Sequence, residues 1–189
     1  VGEAIAMIVA DNLAQAKDAA EVIGLEIDDL PVHVDLAIGG DTIHPEAPDN
    51  HAFDWALGDL EGVQRALDCA AHVVRVDVPD NRIICNAMEP RGCFAEMDGD
   101  RLHVAVNGQG VWLDKGQLAE LLNLDAENVR VTNPDVGGGF GMKAFGYPET
   151  YLSAHSAMVL GRPVRWIGER GDSMMSDNAG RDLEHDVSL

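Results

Sequence analysis

Four glycines occupy the five positions 137–141 of this chain, within the run Asp135-Val136-Gly137-Gly138-Gly139-Phe140-Gly141-Met142-Lys143. A segment so poor in side chains lets backbone N–H groups close tightly on a neighbour and reach left-handed φ values that other residues resist. Before it, Asn128-Val129-Arg130-Val131-Thr132 alternates β-branched and polar residues as a strand does. After it, residues 148–161 carry apolar side chains at helical spacing and end in glycine, so the loop is expected to join a strand to a helix. Positive φ at several glycines would turn successive amides one way, which suits an anionic or strongly polar ligand. A tight connection with no ligand is the plain alternative. Known phosphate loops do not fit, because a Walker loop needs glycine before its lysine and Ser or Thr after it, whereas Met142 precedes Lys143 and Ala144 follows. The dinucleotide fingerprint fails as well, since Met142 stands where its third glycine belongs.

With 189 residues, 46% of them hydrophobic, the chain can bury one substantial core or two modest ones. No run approaches the roughly 20 apolar residues of a membrane-spanning helix, and no signal-peptide pattern opens the sequence. Thirty-three acidic against thirteen basic residues give a formal charge of −20, which repels phosphate backbones and argues against nucleic-acid binding. Cys69, Cys85 and Cys93 form no C-x-x-C pair, and their odd number leaves at least one unpaired. Reduced structural thiols and a cytoplasmic location are expected. Cysteine-held iron–sulfur clusters normally need about four thiolates, so in any redox role electrons must leave through another module. His33, His44, His51, His72, His103, His155 and His185 are scattered without an i, i+4 helical pair, and no metal site built from protein ligands is expected. The chain opens at Val1 with no initiator methionine and reads as a fragment of a larger protein.

Along the chain, residues 1–10 read as a buried strand. Asp11 or Asn12 can cap a helix with Leu13, Ala16, Ala20 and Ile23 on one face, and a second strand is expected over residues 25–27. Residues 35–59 are rich in Gly, Pro, His and Asp and read as a surface linker. Residues 72–79 and 101–106 alternate as strands, and an Asp98-Gly99 turn pairs residues 91–96 with 101–106 as a hairpin. A helix over residues 115–123 places Leu118, Leu121 and Leu122 inward, and a last strand is expected over residues 163–167. The pattern is mixed α+β.

Several of these segments together resemble the large, molybdenum-binding subunit of the xanthine dehydrogenase, aldehyde oxidase and carbon monoxide dehydrogenase family. Residues 1–10, the helix after them and Asp29-Leu30-Pro31-Val32 look like the end of that family's α/β hammerhead domain. Met88-Glu89-Pro90-Arg91-Gly92 resembles the segment opening its molybdopterin-binding domain, and Gly108-Gln109-Gly110 falls where the family carries a glutamine segment. The glycine loop follows, then Gly161-Arg162-Pro163-Val164-Arg165-Trp166, Arg170 and Arg181-Asp182. The resemblance implies the end of a hammerhead domain over 1–38, a linker over 39–65 and the first part of a mixed α+β molybdopterin-binding domain over 66–189.

By the same resemblance the cofactor is molybdopterin with molybdenum, the metal hangs from the pterin, and the protein supplies orientation and hydrogen bonds. Gln109 would donate its amide to an oxo ligand of molybdenum. Phe140 and Gly141 would lie against the cofactor, and Gly138 and Gly139 would permit its close approach. Lys143 is expected at the surface or in an ion pair. The implied partners are iron–sulfur and FAD modules, the remainder of the subunit and a small-molecule substrate. Xanthine-oxidising relatives carry glutamate after the motif's lysine, where this chain has Ala144, which disfavours purines; residues 142–149 look more like the carbon monoxide dehydrogenase group. That group's copper-binding cysteine loop is not among these residues. The family's catalytic glutamate falls far toward the C-terminus of the complete subunit, and none of Glu89, Glu96, Glu120 or Glu149 takes its place, so the fragment alone is expected to be inactive. Carbon monoxide, an aldehyde and a heterocycle remain open as substrates. The rival reading is a non-catalytic α/β binding module whose glycine loop holds an anionic ligand.

Overall fold

A computed structural model describes residues 2–189. They divide into two compact units, one running up to Ile23 and resuming over Ile84–Gly180, the other comprising Gly24–Ile83 with Arg181–Leu189.

The first unit is built on four strands, β2 (Gly92–Asp98), β3 (Arg101–Val106), β4 (Val129–Thr132) and β5 (Val164–Ile167), in the order β4-β3-β2-β5. β2 and β3 form the expected antiparallel hairpin, with Asp98 opposite Arg101 and Gly99 turning the chain at φ 62. β5 adds antiparallel to β2, whereas β4 runs parallel to β3 after the crossover helix α3 (Trp112–Leu121). Alternation along the hairpin sends Cys93, Ala95, Leu102, Val104 and Val106 into the core. They meet Leu118 and Ala119 of α3 and Ala154 and Ala157 of α4 (Pro148–Leu160). The small residues of α4 let its backbone lie close to the sheet. Pro148 in its first turn suits the fixed φ and missing N–H of proline, and Gly161 ends it in the left-handed region at φ 60. A short helix, α5 (Arg170–Ser176), follows behind a reciprocal cap in which Glu169 and Asp172 accept each other's backbone N–H groups.

Three expectations in this unit are corrected. Residues 2–10 form no strand and are mostly exposed; Val1, the first residue of that expected strand, lies outside the described residues. α1 (Leu13–Glu21) does form, capped by Asn12, whose Oδ1 accepts from Gln15 N, but it buries no residue. Leu121 is 64% exposed, because α3 turns only Leu118 and Ala119 fully onto the sheet.

In the second unit β1 (Arg75–Asp80) and β6 (Leu183–Ser188) pair antiparallel over their whole length. A helix not expected from the sequence, α2 (Leu60–Cys69), is capped by Asp59, whose Oδ1 accepts from Gly62 N at 2.8 Å. Residues 25–27 are not a strand, and 35–59 are irregular apart from a turn of 3₁₀ helix at Pro48–Asn50. Among the described residues no helix is long and apolar enough to cross a membrane.

Candidate functional site

The glycine run leaves β4 and ends in a 3₁₀ turn at Met142–Ala144 before α4, so it does join a strand to a helix. Positive φ occurs at Gly138 (104°), Phe140 (54°) and Gly141 (87°), but at neither Gly137 nor Gly139. Phe140 in the left-handed region is costly for a residue with a bulky side chain. The residue is 73% exposed, so burial does not offset that cost. Its carbonyl accepts a weak bond from the Cys85 thiol at 3.4 Å.

Three side chains hold the loop. Glu89 grips its first residue twice, Oε2 accepting from Gly137 N at 2.8 Å while the Glu89 N–H donates to Gly137 O at 3.2 Å. The same Oε2 accepts from Lys143 Nζ at 3.0 Å, at the far end of the loop. In the middle, Gln109 Oε1 accepts from Gly141 N at 2.8 Å. Lys143 is therefore the ion-pair residue of the two alternatives, with a side chain only 1% exposed. Burial by itself raises the Glu89 carboxyl's pKa, but bonds from Gly137 N, Lys143 and Asn107 outweigh this and hold it below the ordinary value.

The closeness of Gln109 explains Gly139. A Cβ there would fall 2.6 Å from Gln109 Oε1 and 2.7 Å from its Cδ and Cγ. The constraint at Gly139 is the neighbouring glutamine and not a positive φ. Gly137 is constrained likewise, its Cβ meeting Glu89 Cβ at 2.5 Å, whereas Gly141 has open space and only its φ favours glycine. Asn133, just after β4, donates its Nδ2 to Gly108 O at 2.9 Å and ties the glutamine segment to the root of the loop.

With the loop so braced, the N–H groups of Gly138, Gly139 and Phe140 donate to nothing among the described residues, nor does Gln109 Nε2. Unused donors on a strained loop are free to serve an electron-rich ligand. The expected site residues Gln109, Gly138, Gly139, Phe140 and Gly141 thus meet in one place. Sequence reasoning passed over Glu89 as a loop anchor; its signal was the Met88-Glu89-Pro90-Arg91 segment, whose role shows only once β2 is set beside the loop.

Beside that anchor Arg91 builds a second cluster. Its Nε donates to Asp177 Oδ1 at 2.5 Å, Nη1 to Glu149 Oε2 at 3.0 Å and Nη2 to Ser176 Oγ at 3.0 Å. Its guanidinium lies 3.6 Å from the Tyr147 ring centroid. Farther along, Arg170 donates to Asn86 Oδ1, Ala87 O and Met88 O, each at 2.6 Å, and fixes the approach to Glu89.

Among the described residues no group of three or more His, Cys, Asp or Glu is placed to hold a metal ion. His103 has both ring nitrogens engaged, Nδ1 with Glu96 Oε1 at 3.1 Å and Nε2 with Thr132 Oγ1 at 2.9 Å. Burial raises the Cys93 thiol's pKa, so it stays protonated.

The family model described as "Molybdopterin cofactor-binding domain" matches residues 43–189. The chain belongs to the molybdopterin cofactor-binding domain family. This molybdopterin cofactor-binding chain is 34% identical over 183 residues to the nicotine 6-hydroxylase large subunit of Paenarthrobacter nicotinovorans, covering 93% of the chain and 22% of that subunit. It is 29% identical to the carbon monoxide dehydrogenase large chain of Hydrogenophaga pseudoflava, covering 98% of the chain and 25% of the relative. Its fold superimposes on the carbon monoxide dehydrogenase of Oligotropha carboxidovorans with a TM-score of 0.83 at 26% identity, over 92% of this chain and 24% of that one. The chain therefore spans about a quarter or less of the length of these relatives. The unused donors fit the family's ligand, because molybdopterin presents the oxygen, nitrogen and sulfur acceptors that unused amides can serve.

Proposed function

We propose that these residues form part of the large subunit of a molybdenum–pterin oxidoreductase, a dehydrogenase or hydroxylase, and that the loop with Gln109 helps cradle its molybdopterin. The observation that carries this reading is the set of unused N–H donors at Gly138, Gly139, Phe140 and Gln109 Nε2, gathered on one braced loop. Molybdenum, when bound, supplies the two-electron redox chemistry that these side chains do not. The chain's part is to bind and orient: the Gly138, Gly139 and Phe140 amides would donate to the cofactor's polar atoms, Gln109 would offer it its Nε2 amide, and Gly141 lets the chain turn away.

No residue of this chain is assigned as the proton acceptor. Glu89 is the carboxylate hydrogen-bonded to the loop, and its Oε2 is already occupied by Gly137 N and Lys143. The isolated residues are accordingly expected to turn over no substrate. Within the longer protein, residues 1–38 are proposed as the end of a hammerhead domain, 39–65 as a linker and 66–189 as the opening of the molybdopterin domain. Iron–sulfur and FAD modules are the proposed electron acceptors, consistent with a chain of only three cysteines and with relatives named as subunits. A cytoplasmic enzyme acting on carbon monoxide, an aldehyde or an N-heterocycle is the class this supports.

The test is the molybdenum and pterin content of the complete protein produced in a host that makes the cofactor. Wild type is expected to carry both and Gly139→Val neither, because the new side chain displaces Gln109. A wild type with no molybdenum, or a Gly139→Val variant loaded like wild type, would sink the reading. Tight binding of inorganic phosphate by the isolated chain would favour the anion-binding module instead.

A further inference from the structure

The glycine loop is anchored at both ends by one carboxylate oxygen. Glu89 Oε2 takes the Gly137 N–H at 2.8 Å and the Lys143 ammonium at 3.0 Å, six residues apart, and the unused amides of Gly138, Gly139 and Phe140 lie between these two anchors. Lys143 is withdrawn from water, and among the described residues no other carboxylate lies within ion-pair distance of its Nζ. A buried ammonium without its counter-charge would leave the site or drag the 3₁₀ turn with it. Close packing reinforces the anchor at Gly137, where even a methyl group would strike Glu89 Cβ.

We infer that Glu89 is a positioning residue: acting through Gly137 and Lys143, it sets the curvature of the loop that the cofactor requires, before the cofactor arrives. It touches no ligand atom itself. A loop of this composition without its anchors would sample many conformers and lose that entropy on binding; the anchored loop has already lost it. This inference rests on the molybdopterin reading proposed above.

The experiment uses the complete protein made in a cofactor-producing host, comparing wild type, Glu89→Ala, Glu89→Gln and Leu118→Ala. Leu118 is fully buried in the core under α3, which makes its variant a control for lost stability alone. Molybdenum is counted by mass spectrometry, pterin by the fluorescence of its oxidised form, and folding by the thermal midpoint. Glu89→Ala is expected to load about 10-fold to 100-fold less cofactor, as when an outer partner of a metal-site ligand is removed. Glu89→Gln keeps an acceptor for the Gly137 N–H but not the charge that holds Lys143, and is expected to recover part of that loss.

The inference is overturned if Glu89→Ala loads like wild type, if glutamine rescues no better than alanine, or if Leu118→Ala loses as much cofactor at the same thermal midpoint. A wild type that carries neither molybdenum nor pterin would overturn the underlying reading, and this inference with it. Loaded wild type with loaded Glu89→Ala would overturn this inference alone.

Discussion

Glu89 and Arg91 stand two positions apart on one short segment, yet they build charge clusters of opposite character. Arg91 is 6% exposed and spends its donors on Asp177, Glu149 and Ser176 while lying against Tyr147. Burial by itself lowers its pKa, and the bonds to Glu149 and Asp177 more than restore it, so it stays charged. Glu89 is 37% exposed and spends its acceptor capacity on a loop. Arg91 joins β2 to the ends of α4 and α5, which makes it architecture; Glu89 shapes the exposed glycine loop. Chain proximity did not decide these roles. They follow from the direction each side chain takes at the mouth of β2, one toward the helices and the other toward the loop.

The strongest way to break this contrast is Arg91→Met. It leaves Asp177, whose side chain is fully buried, without its cation, and removing one partner of a buried pair costs about 3–5 kcal/mol. Denaturant unfolding should show that loss across the whole unit. A negligible change would mean that the cluster is not the joint described.

Gly137→Ala tests the other side and is expected to be milder. Its Cβ must displace Glu89 Cβ from 2.5 Å, and overpacking of this kind costs about 1–3 kcal/mol. Hydrogen exchange should quicken at Gly137 and Gly141 more than in β2 or α4. Equal acceleration everywhere would erase the difference between loop and architecture.

Acidification should give the smallest effect, because Glu89 is partly exposed. Its pKa is depressed in the folded protein, so its contribution is fully present above the ordinary carboxylate range and is lost as pH falls through the depressed value. The Gly137 amide resonance, followed by NMR from neutral to acid pH, should shift below the ordinary carboxylate range. A shift centred above that range would contradict a depressed Glu89 pKa and the loop anchoring that causes it.

Much of the hairpin, α4 and the strand–loop–helix order was legible because those signals are local: period-two alternation, an Asp-Gly turn, Pro148 and Gly161 at the helix ends. α2 was missed although Asp59 and the spacing of Leu60, Val63 and Leu67 announce an amphipathic helix, because the surrounding Gly, Pro and His suggested a linker. The apolar run over residues 2–10 matched a strand by composition, but a strand needs an edge to pair with, and none among the described residues pairs with it. β6 has no local mark strong enough to separate it from loop, and it exists by pairing with β1 more than 100 residues earlier.

For the site, the residue types nominated the loop, since four glycines around one phenylalanine limit what the backbone there can be for, while Gln109 was named only by the family resemblance. Which glycine is needed for which reason depended on distance: Gly137 for Glu89, Gly139 for Gln109, Gly138 and Gly141 for their φ. Lys143 read as either a surface or an ion-pair residue, and the fold decided between them by bringing Glu89 to it across 54 positions. Local sequence determined which backbone shapes are permitted and which faces are apolar, because those depend on sterics and periodicity within a few residues. Tertiary structure decided which carboxylate answers which cation and which donors are left unused, because desolvation and hydrogen-bond reach are set by neighbours distant in the chain.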